Sequence, residues 1–449
     1  MHKIQIKNFG PIDYFEESIS ELTILIGPQA SGKSTISKLI FFFRSIRDDL
    51  LKYLLSDAEL RDPLFEFPKL LRKKFVGYFG TTKHMNRFEI NYEYGEKKSV
   101  QLYLVDGYVK VKFSNELKNG IRSIFQEVKK VKVETKHHQS SLATSWDITS
   151  WIAQQRTISE KTKNIIDTLF EDSKTAIFIP AGRSLLSTLS DQLQEIVPQS
   201  LDFLMKDFIE RINLLKRNFS NSFEDIVKDR KKYSTEKIDF TVISLAIETI
   251  NKIMKGKYFF SSEGEKIFFN DKEYVKLMYA SSGQQEVVWI LLLIFTVILE
   301  RLEVFIVIEE PEAHLYPSAQ VDMVALLAIL LNSTNNNIVI TTHSPYILSS
   351  FNIFLYAGKV GNLLEKKNEK KIDKRLWINK EKIRAFSVNR VDNGFKYANI
   401  MDEELELIKA EAIDEASQQI NELYDYLIDV ELSEPGVEVA EDDSSVDRL

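Results

Sequence analysis

Two kinds of apolar pattern run along the chain, and each predicts a different element. Runs that are apolar but for Thr23 occur at Leu22-Thr23-Ile24-Leu25-Ile26, Val304-Phe305-Ile306-Val307-Ile308 and Ile338-Val339-Ile340. Each is short, as a strand buried on both faces of a parallel sheet should be. Ala176-Ile177-Phe178-Ile179-Pro180 reads as a further short strand that runs into a loop. Residues 86–113 alternate instead, through Phe88, Ile90, Tyr92 and Tyr94, then Val100, Leu102, Val109, Val111 and Phe113. With turn signals at Gly95-Glu96 and Asp106-Gly107, that period of two predicts antiparallel strands. Residues 2–7 alternate like a strand, and 257–278 read as a hairpin around Asn270-Asp271.

Helical spacing covers much of the rest. An apolar helix is predicted from about Thr35 to Leu55. Residues 115–255 are mostly helical in pattern and strongly charged, with amphipathic stretches at 200–218 and 240–255. No heptad run is long enough for a long coiled coil. The apolar run 287–299, closed by Glu286 and Glu300, falls short of the roughly 18–20 residues that cross a bilayer and predicts a buried helix. Residues 326–331 belong to another helix. Residues 359–384 form a lysine-rich connection, 402–431 carry an acidic helical pattern, and 433–449 lack periodicity and are expected to be disordered.

Composition changes this picture little. The 449 residues are 44% hydrophobic and 28% charged, enough for a large core. The absence of cysteine excludes disulfides and thiolate metal sites. It suits a cytoplasmic location, as does an N-terminus without a signal peptide's apolar run. Net charge is −7, but residues 401–449 hold 17 Asp and Glu against Lys409 and Arg448, so the body is mildly basic. Basic runs at Lys129-Lys130 with Lys132, at 228–232 and at 366–375 fit either nucleic-acid contact or a solvated surface. His137-His138, with no cysteine and no ordered carboxylate pair beside them, are read as exposed rather than as metal ligands.

The chemistry lies where the buried strands end. Gly27-Pro28-Gln29-Ala30-Ser31-Gly32-Lys33-Ser34 is G-x-x-x-x-G-K-S between a buried strand and a helix. Small residues let backbone N–H groups curl around a phosphate, and the helix N-terminus adds partial positive charge. Lys33 is placed for β- and γ-phosphates, Ser34 for Mg²⁺, and Thr35 for the α-phosphate end. The strand at 304–308 delivers Glu309-Glu310-Pro311-Glu312-Ala313-His314. Two carboxylates at a buried strand end are costly unless they meet a cation or activate water. Glu309 is therefore assigned to Mg²⁺ and Glu310 to the attacking water. The strand at 338–340 ends in Thr341-Thr342-His343-Ser344-Pro345, which puts His343 on the rim where open α/β sheets bind ligands. Ser281-Ser282-Gly283-Gln284-Gln285 opens the long apolar helix. It reads either as a plain N-cap or as a second anion site, and a second phosphate reader suggests the ATP of a facing subunit.

Taken in this order, these elements resemble the ABC-type ATPase heads of the SMC/RecF/OLD group. The phrases at 281–285, 309–314 and 342–345 look most like AAA ATPase subunits of bacterial antiphage systems, such as AriA of PARIS and PtuA of Septu. The resemblance implies an α/β P-loop NTPase fold with a mainly parallel central sheet, an antiparallel β-subdomain and a helical insertion. It implies an ATP phosphohydrolase that uses ATP and Mg²⁺ and forms homodimers or higher homo-oligomers. Ser282 and Gly283 would then touch the opposing γ-phosphate, although Gln284 stands where the family has a second glycine. Asn8 and Phe9 match strand-end residues near base and ribose. Arg183, in Ile179-Pro180-Ala181-Gly182-Arg183, would either reach phosphate or act structurally. Gln126, Gln192 and Gln194 are open candidates for a glutamine that completes the Mg²⁺ shell.

The expected organisation is a head of two lobes, 1–115 and 256–400, a helical insertion over 116–255, an acidic C-terminal helix over 401–432 and a disordered tail over 433–449. No Asp-x-Asp occurs, so a Toprim nuclease would have to be a separate effector. The leading expectation is a sensor or scaffold ATPase of an antiphage complex with such an effector. The alternative is a RecF-like maintenance ATPase that acts directly on DNA. Neither needs a membrane.

Overall fold

A computed structural model describes residues 2–56, 61–141, 148–188, 202–233, 239–366, 371–391, 394–409 and 427, with side chains over 131–158 and at 188, 233, 364–366 and 391 left aside. The chain opens with β1 (Lys3–Phe9), β2 (Ile12–Ser18) and β3 (Leu22–Ile26), followed by α1 (Lys33–Leu55) and α2 (Pro63–Phe79). Then come β4 (Glu89–Gly95), β5 (Lys98–Val105) and β6 (Tyr108–Phe113), and two long helices, α3 (Asn115–Ser141) and α4 (Ile148–Phe170). A short strand β7 (Thr175–Ile179) leads through α5 (Ser184–Thr188) to α6 (Phe203–Leu215), α7 (Phe223–Tyr233) and α8 (Phe240–Met254). The meander β8 (Lys257–Ser261), β9 (Gly264–Phe268) and β10 (Tyr274–Lys276) precedes α9 (Ser282–Leu299), β11 (Val304–Glu309) and α10 (Pro317–Ser333). The last elements are β12 (Asn337–Thr342), α11 (Pro345–Lys359), α12 (Gly361–Lys366), β13 (Ile383–Val391), β14 (Gly394–Asn399), β15 (Met401–Asp402) and β16 (Leu407–Ile408).

The central sheet runs β14-β13-β3-β12-β11-β7, with every pair parallel except the β13–β14 hairpin at one edge. Its apolar strands follow from burial on both faces. Ile24, Ile306, Ile308 and Ile340 join a core with α8, α9, α10 and α11. Their neighbours Leu25, Phe305, Val307 and Val339 join a second core with α1, α2 and the five-stranded antiparallel sheet β2-β1-β4-β5-β6. The α/β P-loop fold expected from the sequence, with its antiparallel subdomain, is therefore the one observed. Each fully buried Leu, Ile or Phe in these cores contributes about 1.5–3 kcal/mol.

Helix α9 is the single helix among the described residues long and apolar enough to cross a bilayer, yet 78% of it is buried inside the protein. It is apolar all round because it lies inside the first core.

Several boundaries differ from expectation. The insertion over 116–255 is narrower than that range. Within it, β7 is a full member of the central sheet, paired with β11, and α8 packs against α9 and α10. Strands β2, β13 and β14 and helix α2 were not anticipated. The acidic helix does not start at residue 401: Met401 pairs antiparallel with Ile408, and Asp402 with Leu407. Most of its expected span, the tail, Gln192 and Gln194, and the side chains of His137 and His138 lie outside the described residues.

Candidate functional site

Parallel pairing puts the carboxyl ends of β3, β7, β11 and β12 along one edge of the sheet, with Ile308 opposite Ile340 and Ile179, and Thr342 opposite Ile26. The glycine loop leaves β3 at this edge. Gly27, Ala30 and Gly32 all have positive φ (153°, 59° and 107°), so the backbone curls on itself. Gly27 has no substitute: an added Cβ would stand 1.9 Å from Val388 O on β13. Helix α1 begins with Gly32 as its N-cap, with no side-chain cap and no acid in the first turn. Its free N–H groups and dipole are thereby available to an anion.

Lys33 is buried and its Nζ donates to Gly27 O and Pro28 O, each at 2.7 Å, and to Ser31 Oγ at 3.4 Å. Burial pulls its pKa down to about 8, opposed by Glu310 and Glu312. A cleft of about 320 Å³ is lined by Pro11, residues 29–35, Glu310 and His343. Residues 29–35 of the glycine motif, Glu310 and His343 thus share one cavity.

Glu309 and Glu310 diverge at the end of β11. Glu309 is buried, with Oε2 accepting from Ala181 N at 3.4 Å and Oε1 buried without a hydrogen-bond partner. Burial raises its pKa, while Lys38 and a hydrogen bond from Ser34 lower it. An orphaned carboxylate oxygen beside a serine hydroxyl is the donor set a hard divalent cation takes up. No cluster of three His, Cys, Asp or Glu occurs among the described residues.

Glu310 adopts φ 45°, the left-handed region, which costs a non-glycine residue of order 1–3 kcal/mol. Its N–H donates to Thr341 O at 2.9 Å, and its Oε1 lies 3.1 Å from His343 Nε2. Glu312, left without a role by the sequence, positions that histidine. Its Oε1 accepts from His343 N at 2.9 Å and from Thr342 Oγ1 at 2.6 Å. Ser344 caps α11 and donates to Gln320 Oε1 at 2.6 Å, fixing the turn after the histidine.

Other expected residues fall differently. Phe9 is buried against Phe75, Phe79 and Phe88, so its ring is closed to any ligand. This corrects its assignment to base and ribose. Asn8 is exposed near the end of β1, just before the turn that carries Pro11, which does line the cleft. Arg183 is fully buried and its guanidinium is spent on backbone carbonyls, so it does not reach into the cleft as the phosphate reading requires. Gln126 is exposed on α3. At α9, Ser281 forms a capping box with Gln284, and Gln284 Nε2 also reaches Met254 O at 2.9 Å. Ser282 is exposed. An added Cβ at Gly283 would lie 2.8 Å from His314 O, so only glycine fits there.

A family model described as an AAA ATPase domain matches residues 1–136 and 105–348. No curated protein matches the chain. Among solved structures, it is similar to an SMC head bound to the C-winged helix domain of ScpA. That match has 13% identity, covers 90% of this chain and 98% of that one, and has a TM-score of 0.42. A second is the SMC head domain from Thermotoga maritima, with 12% identity, 89% and 98% coverage, and a TM-score of 0.34. A third is the Smc head with an extended coiled coil, bound to the C-terminal domain of ScpA, from Pyrococcus furiosus. Its values are 12% identity, 94% and 100% coverage, and a TM-score of 0.36.

Proposed function

Because the chain belongs to the AAA ATPase domain family and is an ATPase, we propose that two copies close head-to-head over two ATP molecules to hydrolyse them. The observation that carries this reading is a division of labour. The glycine loop, Glu310 and His343 share one cleft, whereas Ser282 lies exposed at the tip of α9.

In this reading the N–H groups of residues 27–35 cradle the phosphates. Lys33 exchanges its two loop carbonyls for β- and γ-phosphate oxygens. Ser34 and Glu309 hold Mg²⁺, which when bound supplies positive charge against the triphosphate. Glu310 orients and polarises the attacking water, and His343, aligned by Glu312, hydrogen-bonds the γ-phosphate and keeps Glu310 in place. Ser282 and Gly283 of the second copy complete the anion site.

The finer role is that of a sensor or scaffold in an antiphage complex, with a separate effector doing the damage. It is supported by the sequence resemblance at 281–285, 309–314 and 342–345. The experiment is steady-state ATP turnover against protein concentration. Turnover should rise more steeply than linearly, and Glu310→Gln should remove it while leaving ATP bound. Wild-type turnover by Glu310→Gln would refute the assignment of the water-activating group. For the finer role, copurification with the product of the adjacent reading frame and protection in a phage challenge are the readouts. Protection by Lys33→Ala equal to wild type would oppose it.

A further inference from the structure

Arg183 and Glu286 stand outside the steps above, yet they join three elements brought from far apart in the chain. Arg183 Nη1 donates to Pro180 O at 2.6 Å and to Glu309 O at 2.7 Å, and Nη2 donates to Glu310 O at 2.9 Å. Its Nε donates to Glu286 O at 3.0 Å and lies 3.3 Å from Glu286 Oε2. The Glu286 carboxylate accepts the backbone N–H of Arg183 and of Ser184, both at 3.0 Å. Both side chains are buried. Ser187 adds a second tie, donating to Gln285 O at 2.9 Å and accepting from Trp289 Nε1 at 3.1 Å. The start of α9 is therefore fastened, through residues 180–188, to the end of β11.

The carbonyls chosen matter. Those of Glu309 and Glu310 flank the peptides where the chain enters the left-handed region at Glu310. Whatever fixes those carbonyls also aims the Glu310 carboxylate at His343. The other end of the network is at Gln285 and Glu286, two and three residues beyond Gly283. Gln285 N–H in turn donates to Ser281 O at 2.9 Å, so the first turn of α9 joins its exposed tip to this network, which ends at the backbone of the group assigned to the attacking water.

We infer that the Arg183–Glu286 pair is a positioning device that transmits the seating of α9 on a second copy's nucleotide to the aim of Glu310, and so couples closure to hydrolysis. This rests on the dimeric reading of Ser282 and Gly283 proposed above.

Two variants test it. Arg183→Lys keeps the charge but has one nitrogen where the fork spans four acceptors. Arg183→Met combined with Glu286→Met removes both charges together, so neither is left unpaired in the core. Thermal melting, kcat and KM for ATP, affinity for a fluorescent ATP analogue, and mass in Mg-ATP are measured for each. The expected result is a kcat lower by about 30-fold or more, about 2 kcal/mol of barrier, with KM within about threefold of wild type. The folded variants should also accumulate as ATP-bound dimers, as Glu310→Gln should. Either variant turning over within about threefold of wild type overturns the inference. So does a loss of kcat matched by an equal loss of ATP affinity, or a failure of both variants to fold, since each marks the pair as a structural bridge. Glu310→Gln separates the two levels. If it turns over normally or stays monomeric in ATP, the dimeric reading fails and takes this inference with it. If it behaves as expected and Arg183→Lys does not, the link alone fails.

Discussion

Lys33 is a buried cation resting on carbonyl oxygens, and burial pulls its pKa down to about 8 against the opposing charges of Glu310 and Glu312. The protonated form is the one that attracts a triphosphate, and the added negative charge raises its pKa in the complex. Between the two values binding takes up a proton. The Kd for ATP should therefore be flat below pH 8 and weaken by up to tenfold per unit above it, as read by titration from pH 7.5 to 9.5. Lys33→Ala should remove that dependence and lose at least about 1.5–3 kcal/mol of binding at pH 7.5. The sequence made Lys33, Ser34, Glu309, Glu310 and His343 legible because each sits in a contiguous motif at a strand end. It could not decide Arg183, whose acceptors come from residues 180, 286, 309 and 310 and meet only in the fold. Glu286 read as the polar end of an apolar run. Phe9 was misplaced because a strand-end position says nothing of which way a ring turns, and here it turns into an aromatic cluster.

Among the elements, α9 separates two serines that look equivalent in sequence. Ser281 holds the capping box, so Ser281→Ala should cost about 1 kcal/mol and lower Tm by roughly 1–2 °C, with turnover near wild type. Ser282 lies outside that box, so Ser282→Ala should leave Tm unchanged and cut turnover. Melting curves and rates for the pair distinguish a cap from a phosphate reader. Gln284 in the place of a glycine also has a reason: it closes the box and ties α9 to the end of α8. The glycine that packing requires is Gly283, against His314 O. The apolar strands were legible because burial on both faces leaves them few polar positions. Strands β13 and β14 were not, because polar and basic residues interrupt their apolar positions on an edge hairpin.

Across the whole molecule, the sheet draws its strands from both ends and the middle of the chain, so a contiguous insertion was the wrong unit. β7 stands between helices in sequence and beside β11 in space. A buried ion pair, Arg44 with Asp172 at 2.9 Å, further holds α1 to the segment that enters β7. The basic run of α7 is answered by nearby acids: Lys228 by Asp225 at 3.1 Å, Lys232 by Asp229 at 3.6 Å, and Arg230 by Glu300 at 2.6 Å. It therefore presents less free positive charge than its sequence suggests. If DNA nevertheless binds there, its affinity should fall steeply between 50 and 200 mM salt, about 10³-fold or more for six phosphate contacts. The claim on which the rest depends is that one copy's nucleotide is completed by another copy's α9. Light scattering of Glu310→Gln tests it most directly, in Mg-ATP and in Mg-ADP, with and without Ser282→Arg. The mass should double in ATP alone and return to that of one chain when Ser282→Arg is added. A single-chain mass in saturating ATP, or a dimer indifferent to Ser282→Arg, would contradict it.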